Sequence, residues 1–342
     1  MYGDQLTEGD VGSFVFQEVY MAIPILLFVL GLVLLIKGGD WFVDGATGIA
    51  QKFHVPDLLI GATIVSIGTT LPEVMVSATS ALSGHGEIAY GNAIGSIICN
   101  TALIAAITVT FHPGKIERKS LALPVSLFFI ASLVYTFVAY YFGEFSRWVG
   151  GILLGLFAAY MILSIRDAIR HKPDEAPQIE DAPHGGMLAK NIGLLLIGAG
   201  LIAFGADLLV DNGTIIAEYL GVPEAVIALT FIAIGTSLPE LVTAITALSK
   251  GHGALSLGNV IGANILNLVL VSGVASLLSP FTVPNNNQIA GVNSSLLIDI
   301  PVMLLVMALL TLPALLRGKL SRVQGILLLL IYGAFCTLQF TI

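Results

Sequence analysis

Apolar stretches of about 18 to 27 residues recur along nearly the whole chain, divided by short clusters of Pro, Gly and charged residues. A helix of about 20 apolar residues crosses the hydrocarbon core of a bilayer. The punctuation predicts ten spans, over 19–50, 56–83, 88–111, 120–142, 147–168, 191–219, 223–249, 254–280, 289–316 and 321–341. The first is longer than one straight crossing needs. Lys37-Gly38-Gly39-Asp40 interrupts it, so a tilted or partly interfacial course is expected. Residues 1–18 form a polar tail with Asp4, Glu8, Asp10 and Glu18, and lack the basic start and short apolar core of a cleavable signal.

Composition agrees with this pattern. The 342 residues are 56% hydrophobic and 11% charged, against roughly 25% charged in soluble proteins. The expected class is an all-α polytopic membrane protein. Cys99 and Cys336 fall in apolar runs, where a free thiol packs as a small hydrophobe, so no disulfide framework is indicated. The net charge of −8 gives no sign of a nucleic-acid partner. No protein partner is implied, and the lipid bilayer is the expected surrounding.

The basic residues orient the spans. With the N-terminus outside, Lys52, Lys115, Arg118, Lys119, Arg166, Arg170, Lys172, Lys190, Lys250, Arg317, Lys319 and Arg322 all face the cytoplasm. Only Arg147 falls in an outer loop, and Lys37 lies within the first span. The bias predicts an N-out, C-out protein. The polar segment 169–190 reads as a solvated cytoplasmic linker between a first half, 1–168, and a second half, 191–342.

Those halves repeat. Without gaps, residues 40–100 align to 207–267, and 26 of the 61 positions are identical. Asp40 meets Asp207, Asp44 meets Asp211, Val55-Pro56 meets Val222-Pro223, Gly84-His85-Gly86 meets Gly251-His252-Gly253, and Asn100 meets Asn267. Five spans per half is an odd number, so the halves must insert in opposite senses. Two inverted five-helix repeats with matched helix interruptions are the pattern of a secondary transporter whose site lies near the bilayer midplane.

The candidate chemistry sits on the repeat. Gly68-Thr69-Thr70-Leu71-Pro72-Glu73 and Gly235-Thr236-Ser237-Leu238-Pro239-Glu240 each place a proline, hydroxyls and a carboxylate inside an apolar stretch. Pro72 and Pro239 remove backbone donors, which is expected to break the helices and loosen carbonyls near Gly68 and Gly235, such as those of Ser66 and Ala233. Thr70-x-x-Glu73 and Ser237-x-x-Glu240 also fit capping boxes that restart a helix. No Lys or Arg occurs between Lys52 and Lys115, between Lys190 and Lys250, or from there to Arg317. Glu73 and Glu240 must therefore bind metal cations, bind protons, or alternate between the two.

The following spans add oxygens. Ser96 and Asn100 share one helix face, as do Ala263 and Asn267. Gly91/Gly95 and Gly258/Gly262 suit close helix packing, and Asn92 and Asn259 read as helix-start caps. All six His residues fall in predicted loops, and Cys99, a lone thiol, reads as core filler. An all-oxygen set suits Ca²⁺ or Na⁺ rather than zinc or copper. Asp40, Asp44, Asp207 and Asp211 are expected at the membrane edge or paired with backbone. Asp299, which meets Ser132 across the repeat, has no assigned role.

These motifs, with Gly91-Asn92-Ala93-Ile94-Gly95-Ser96-Ile97-Ile98-Cys99-Asn100 and its second copy, resemble the two alpha-repeats of the calcium/cation antiporter superfamily, most of all the prokaryotic sodium/calcium exchangers. The resemblance covers nearly the whole chain. It implies one half-site from Thr69, Thr70, Glu73, Ser96 and Asn100 with the Ser66 carbonyl, and the other from Thr236, Ser237, Glu240 and Asn267 with the Ala233 carbonyl. It implies exchange of Ca²⁺ for Na⁺ in a prokaryotic inner membrane, with the ions as cargo and no cofactor. Two positions depart from the family. Ala263 stands where many relatives carry a Ser ligand, and Asn267 where potassium-dependent and some archaeal relatives carry Asp, which argues against potassium co-transport.

Three other readings are open to test. Proton-coupled exchange of Ca²⁺ or another divalent cation fits buried carboxylates, although the proton-coupled branch lacks this motif form. A channel would pass Ca²⁺ without a counter-ion. An intramembrane enzyme is disfavoured, because Lys37-Gly38-Gly39-Asp40 only approximates the Gly-x-Gly-Asp of intramembrane aspartyl proteases and no metalloprotease or serine-hydrolase motif is present.

Overall fold

The computed structural model describes residues 8–53, 55–116, 118–170, 185–219, 237–284, 288–289 and 291–341. Its helices, in chain order, are α1 (Glu8–Phe53), α2 (Asp57–Leu82), α3 (Gly86–Phe111), α4 (Arg118–Phe142), α5 (Arg147–Arg170), α6 (Gly185–Tyr219), α7 (Leu238–Ser249), α8 (Gly253–Leu278), α9 (Ser295–Arg317) and α10 (Arg322–Thr341). Among the described residues, nine helices are long and apolar enough to cross a membrane, and α7 is a shorter apolar helix. The expected seventh span, 223–249, lies largely outside the described residues, as does most of the linker.

The elements differ from the sequence pattern in several places. The tail is helical from Glu8, and α1 runs unbroken through Lys37-Gly38-Gly39-Asp40. Helix α2 continues through Pro72, with a π-helical turn at Gly61–Val65 upstream of it. In α7, Pro239 instead occupies the first turn, where its missing N–H costs no helical bond. The chain before α9 forms a small antiparallel pair, Gln288–Ile289 with Val292–Asn293, so that span begins at Ser295 rather than 289.

The loops gather at two ends of the bundle. At one end, Asp57 meets His252 at 2.7 Å, and the loops after α3 and α9 join through a Lys115–Lys319 bridge and an Ile116 N–H bond to Gly318 O of 3.0 Å. At the other, Glu144–Phe145 pairs antiparallel with Phe281–Thr282, and the Phe145 and Phe281 rings stack at 5.1 Å.

Burial sets the order of the helices. Of the most apolar stretch of α8, 83% is buried, and of α3, 72%, against 28% for α1 and α6. Helices α3 and α8 are therefore central, while α1 and α6 run along the outside. Large apolar side chains such as Leu26, Met75 and Trp148 are exposed on the outer surface, where lipid tails make that arrangement favourable.

Two close backbone approaches hold the helices in register. A Cβ on Gly262 would lie 2.6 Å from Ala62 O, and one on Gly258 would enter the Leu58 carbonyl, so α2 and α8 touch backbone to backbone at the π-helical turn. Helices α1 and α6 meet the same way. A Cβ on Gly31 would lie 2.8 Å from Gly205 O, and one on Gly198 2.8 Å from Gly38 O. Gly91 and Gly95 have no such neighbour among the described residues; their repeat-related partners would lie at 225–229, outside them.

Candidate ion-binding site

Helix α2 presents Ser66, Thr69, Thr70, Glu73 and Ser77 on one face, because positions three and four apart stack along a helix. All five are buried, while Leu71 and Met75 on the opposite side are exposed. Helix α7 turns Glu240, Thr243 and Ala247 inward, with Ser237 at its N-terminal cap position. Ser96 and Asn100 of α3, and Asn259, Ala263 and Asn267 of α8, are buried against them. Thr236 and Ala233, expected in the second half-site, lie outside the described residues.

Glu73 and Glu240 are fully buried and close enough to repel each other electrostatically. The Glu240 carboxylate sits beside the Thr69 and Thr70 hydroxyls of α2, which joins the two motifs. Among the described residues, all four carboxylate oxygens lack a hydrogen-bond partner. So do the amide N and O of Asn100 and Asn267, Thr70 Oγ1 and Ser237 Oγ. Removing a carboxylate from water costs several kcal/mol after relaxation, and polar atoms at this depth normally find partners. A cluster of unpaired oxygens around two like charges is stable only with cations or protons among them. Calcium takes six to eight oxygens, including bidentate carboxylates. Two carboxylates, two amide oxygens and neighbouring hydroxyls supply that kind of set.

The capping readings fail on this geometry. Thr70 lies inside a continuous helix, and Ser237, at the N-terminal cap position of α7, makes no side-chain cap bond. Asn92 and Asn259 lie six residues beyond Gly86 and Gly253, within α3 and α8, so they are not helix-start caps. Asn92 Nδ2 donates to Ser77 Oγ at 2.9 Å and to the Glu73 carbonyl at 3.3 Å. Asn259 Oδ1 instead accepts from Thr69 Oγ1 at 3.2 Å. Ala244 stands at the repeat position of Ser77 and offers no hydroxyl, and Asn259 Nδ2 has no hydrogen-bond partner among the described residues.

The other expected ligands are partly engaged. Ser66 Oγ donates to Thr63 O at 3.0 Å, and the Ser66 carbonyl accepts a long bond of 3.4 Å from Thr69 Oγ1. Ser96 Oγ makes only a 3.5 Å contact to Asn92 Oδ1.

Several features of the site escape the sequence reading. Asn100 and Asn267 each begin a π-helical turn, at Asn100–Ala105 and Asn267–Val271. Such turns leave carbonyls out of the usual ladder and often mark functional positions. Tyr160 of α5 donates its hydroxyl to Ala62 O, within the π-helical turn of α2. Asn264 Nδ2 donates to Thr101 Oγ1 at 2.7 Å, beside Met307. Lys250 binds Asp44 Oδ1 at 2.8 Å and the Asp40 carbonyl at 3.0 Å, an ion pair that the sequence reading does not name. Of these, the sequence signals only the paired turns, through the identity of Asn100 with Asn267 across the repeat.

A sequence profile described as sodium/calcium exchanger protein matches residues 23–166 and 190–341. The chain is similar to the putative antiporter CaxA of Alkalimonas amylolytica, 34% identical over 330 residues, covering 94% of this chain and 100% of that protein. It is 30% identical over 358 residues to the sodium/calcium exchanger MaX1 of Methanosarcina acetivorans, covering 94% and 100%. A solved structure of the sodium-calcium exchanger NCX_Mj matches with a TM-score of 0.78 at 32% identity, covering 91% of this chain and 97% of that one. With its apolar helices, paired motifs and matched profile, this multi-pass membrane protein belongs to the sodium/calcium exchanger family.

Proposed function

We propose that the protein is a secondary active antiporter of the prokaryotic inner membrane, exchanging Ca²⁺ for Na⁺ at one midplane site built on Glu73 and Glu240. The observation that carries this reading is the pair of fully buried carboxylates, matched across the repeat, without hydrogen-bond partners among the described residues. Thr69, Thr70, Ser96, Asn100 and the Ser66 carbonyl complete one half-site. Thr236, Ser237, Asn267 and the Ala233 carbonyl complete the other. One Ca²⁺ or several Na⁺ neutralise the carboxylates, so the loaded protein crosses between inward and outward states and the empty, doubly charged one does not.

The transmembrane plan belongs to the same reading: ten spans in two inverted five-helix repeats, N-out and C-out, divided by the 169–190 linker. Two observations favour it. Lys52, Lys115, Arg118, Lys119, Lys250, Arg317 and Lys319 lie in or beside the loops of one end. Helix α2 leaves that end, while α7, the counterpart of its second part, leads into Lys250 there. Helices α1 and α6, outside the central helices, act as the gate that moves over the motif core.

Proton coupling is the second reading, favoured by the same unpaired carboxylates, which protons would also neutralise. Purified protein in liposomes separates the two. Ca²⁺ uptake driven by an imposed Na⁺ gradient, and not by a pH gradient of equal size, is the expected result; the reverse result assigns proton exchange. Passive Ca²⁺ flux with neither gradient would overturn both.

A further inference from the structure

Helices α3 and α8 carry the two candidate amide ligands and come from opposite halves of the chain, yet a polar contact joins them beside the site. Asn264 Nδ2 of α8 donates to Thr101 Oγ1 of α3 at 2.7 Å. The Thr101 hydroxyl donates onward to Met307 Sδ of α9 at 3.3 Å, and Asn264 Nδ2 also reaches that sulfur at 3.2 Å. Asn264 and Thr101 are both fully buried. Thr101 follows Asn100 within the π-helical turn Asn100–Ala105, and Asn264 lies three residues before Asn267 on the same face of α8. The bond therefore ties together the two turns that present Asn100 and Asn267.

Packing does not require this bond. Ile97 and Leu268 occupy the repeat positions of Asn264 and Thr101 and are as deeply buried, so the other half of the molecule places two apolar side chains there. The polar pair carries a cost instead, since Asn264 Oδ1 is buried without a partner among the described residues. The amides of Asn100 and Asn267 lack hydrogen-bond partners there too, so their placement rests on the backbone beneath them. Helix α8 is fixed against α2 by the close approaches at Gly258 and Gly262. The Asn264–Thr101 bond fixes it against α3. We propose that Asn264 and Thr101 are positioning residues of the ion site, holding Asn100 and Asn267 at the spacing that lets both amide oxygens reach one Ca²⁺. This deepens the exchange reading and rests on it for the identity of the ion. Metal sites that lose the residues supporting their ligands commonly bind about 10–100-fold more weakly.

The experiment measures Ca²⁺ binding to the purified full-length protein by calorimetry, its melting temperature in ion-free buffer, and Na⁺-driven Ca²⁺ uptake in liposomes. The double variant Thr101→Val, Asn264→Leu gives the contact the apolar character of its repeat counterpart and should melt no lower than wild type. Its Ca²⁺ affinity should fall about tenfold or more. Half-saturation of uptake should rise in step, with the maximal rate changing by less than about twofold. Thr101→Ser keeps the hydroxyl and should bind Ca²⁺ as wild type does. If the double variant does not fold, Thr101→Val alone takes its place with the same expectation for affinity. Unchanged affinity in the variant, whether or not it melts lower, or an equal loss in Thr101→Ser, overturns the positioning role. Weaker Ca²⁺ binding in the variant, with no Na⁺-driven uptake even by wild type, upholds the role and overturns the exchange reading instead. A wild type that binds no Ca²⁺ overturns both.

Discussion

Lys250 Nζ lies 2.8 Å from Asp44 Oδ1, tying the end of α7 to α1. A second contact, to Asp40 Oδ1 at 3.5 Å, makes the ammonium a shared partner of both aspartates. The pair is partly exposed, with Lys250 at 27% and Asp44 at 54%, so solvent screens it, and exposed pairs contribute about 0.2–1 kcal/mol. Lys250→Met should therefore change the Ca²⁺ uptake rate by at most about fivefold, leaving the Ca²⁺ concentration for half-maximal uptake unchanged. A shift in that concentration instead would place Lys250 at the ion site.

Glu73→Gln and Glu240→Gln keep the shape of the carboxylates and remove one charge each. Taking one carboxylate away from a bound Ca²⁺ breaks a buried pair of opposite charges, at a cost of about 2–5 kcal/mol, roughly thirtyfold or more in Ca²⁺ affinity. Both variants should lose Na⁺-driven Ca²⁺ uptake and the thermal stabilisation that Ca²⁺ confers. In ion-free buffer their melting temperature should not fall, since each removes an unpaired buried charge. Full uptake by either variant would rule out the two-carboxylate site.

Ala263→Ser restores the hydroxyl that Ser96 supplies in the other half. The added oxygen should favour Na⁺, visible as a steeper Na⁺ dependence of exchange. Ca²⁺ half-saturation should move by less than about twofold, because neutral hydroxyls are weak Ca²⁺ ligands beside carboxylates. An unchanged Na⁺ curve would mean that Ala263 lies away from the Na⁺ path.

Gly258→Ala drives a methyl group into the Leu58 carbonyl, an overpacking cost of about 1–3 kcal/mol or more between two backbones. Gly151→Ala meets nothing within 4 Å among the described residues and should gain about 0.5–1 kcal/mol of helix stability. Thermal unfolding in detergent should separate them, with Gly258→Ala lower than wild type and Gly151→Ala equal or higher. Equal melting of the two variants would contradict the close α2–α8 approach.

Hydropathy made most helices legible, because a bilayer leaves the backbone few other states. Glu73 was legible as a carboxylate inside an apolar stretch without a counter-ion, and Ser66, Thr69 and Thr70 came with the family resemblance, but their common helical face did not, since the proline was expected to break the helix. Pro72 misled, because a proline says that one hydrogen bond is missing but not whether neighbouring helices keep the chain helical. The π-helical turns at Asn100 and Asn267 leave no mark in apolar periodicity. Asn92 read as a cap because its partners, Ser77 and the Glu73 carbonyl, are brought to it only by packing of α2 on α3. Lys250 and Asp44 are joined across 206 positions of sequence, and no local pattern encodes such a pair.

The glycine contact between α1 and α6 has a mechanical consequence. Gly31, Gly38 and Gly45 recur every seven residues on α1, as Gly198 and Gly205 do on α6, and the pairs 31/205 and 38/198 match in antiparallel register. Glycine meets glycine again only after a slip of seven residues, about 10 Å along the axis at 1.5 Å per residue. A smaller slip carries a side chain into a facing carbonyl. The two helices, although drawn from opposite halves of the chain, are thus interlocked like a toothed rack and cannot creep past each other. A push on either one displaces both.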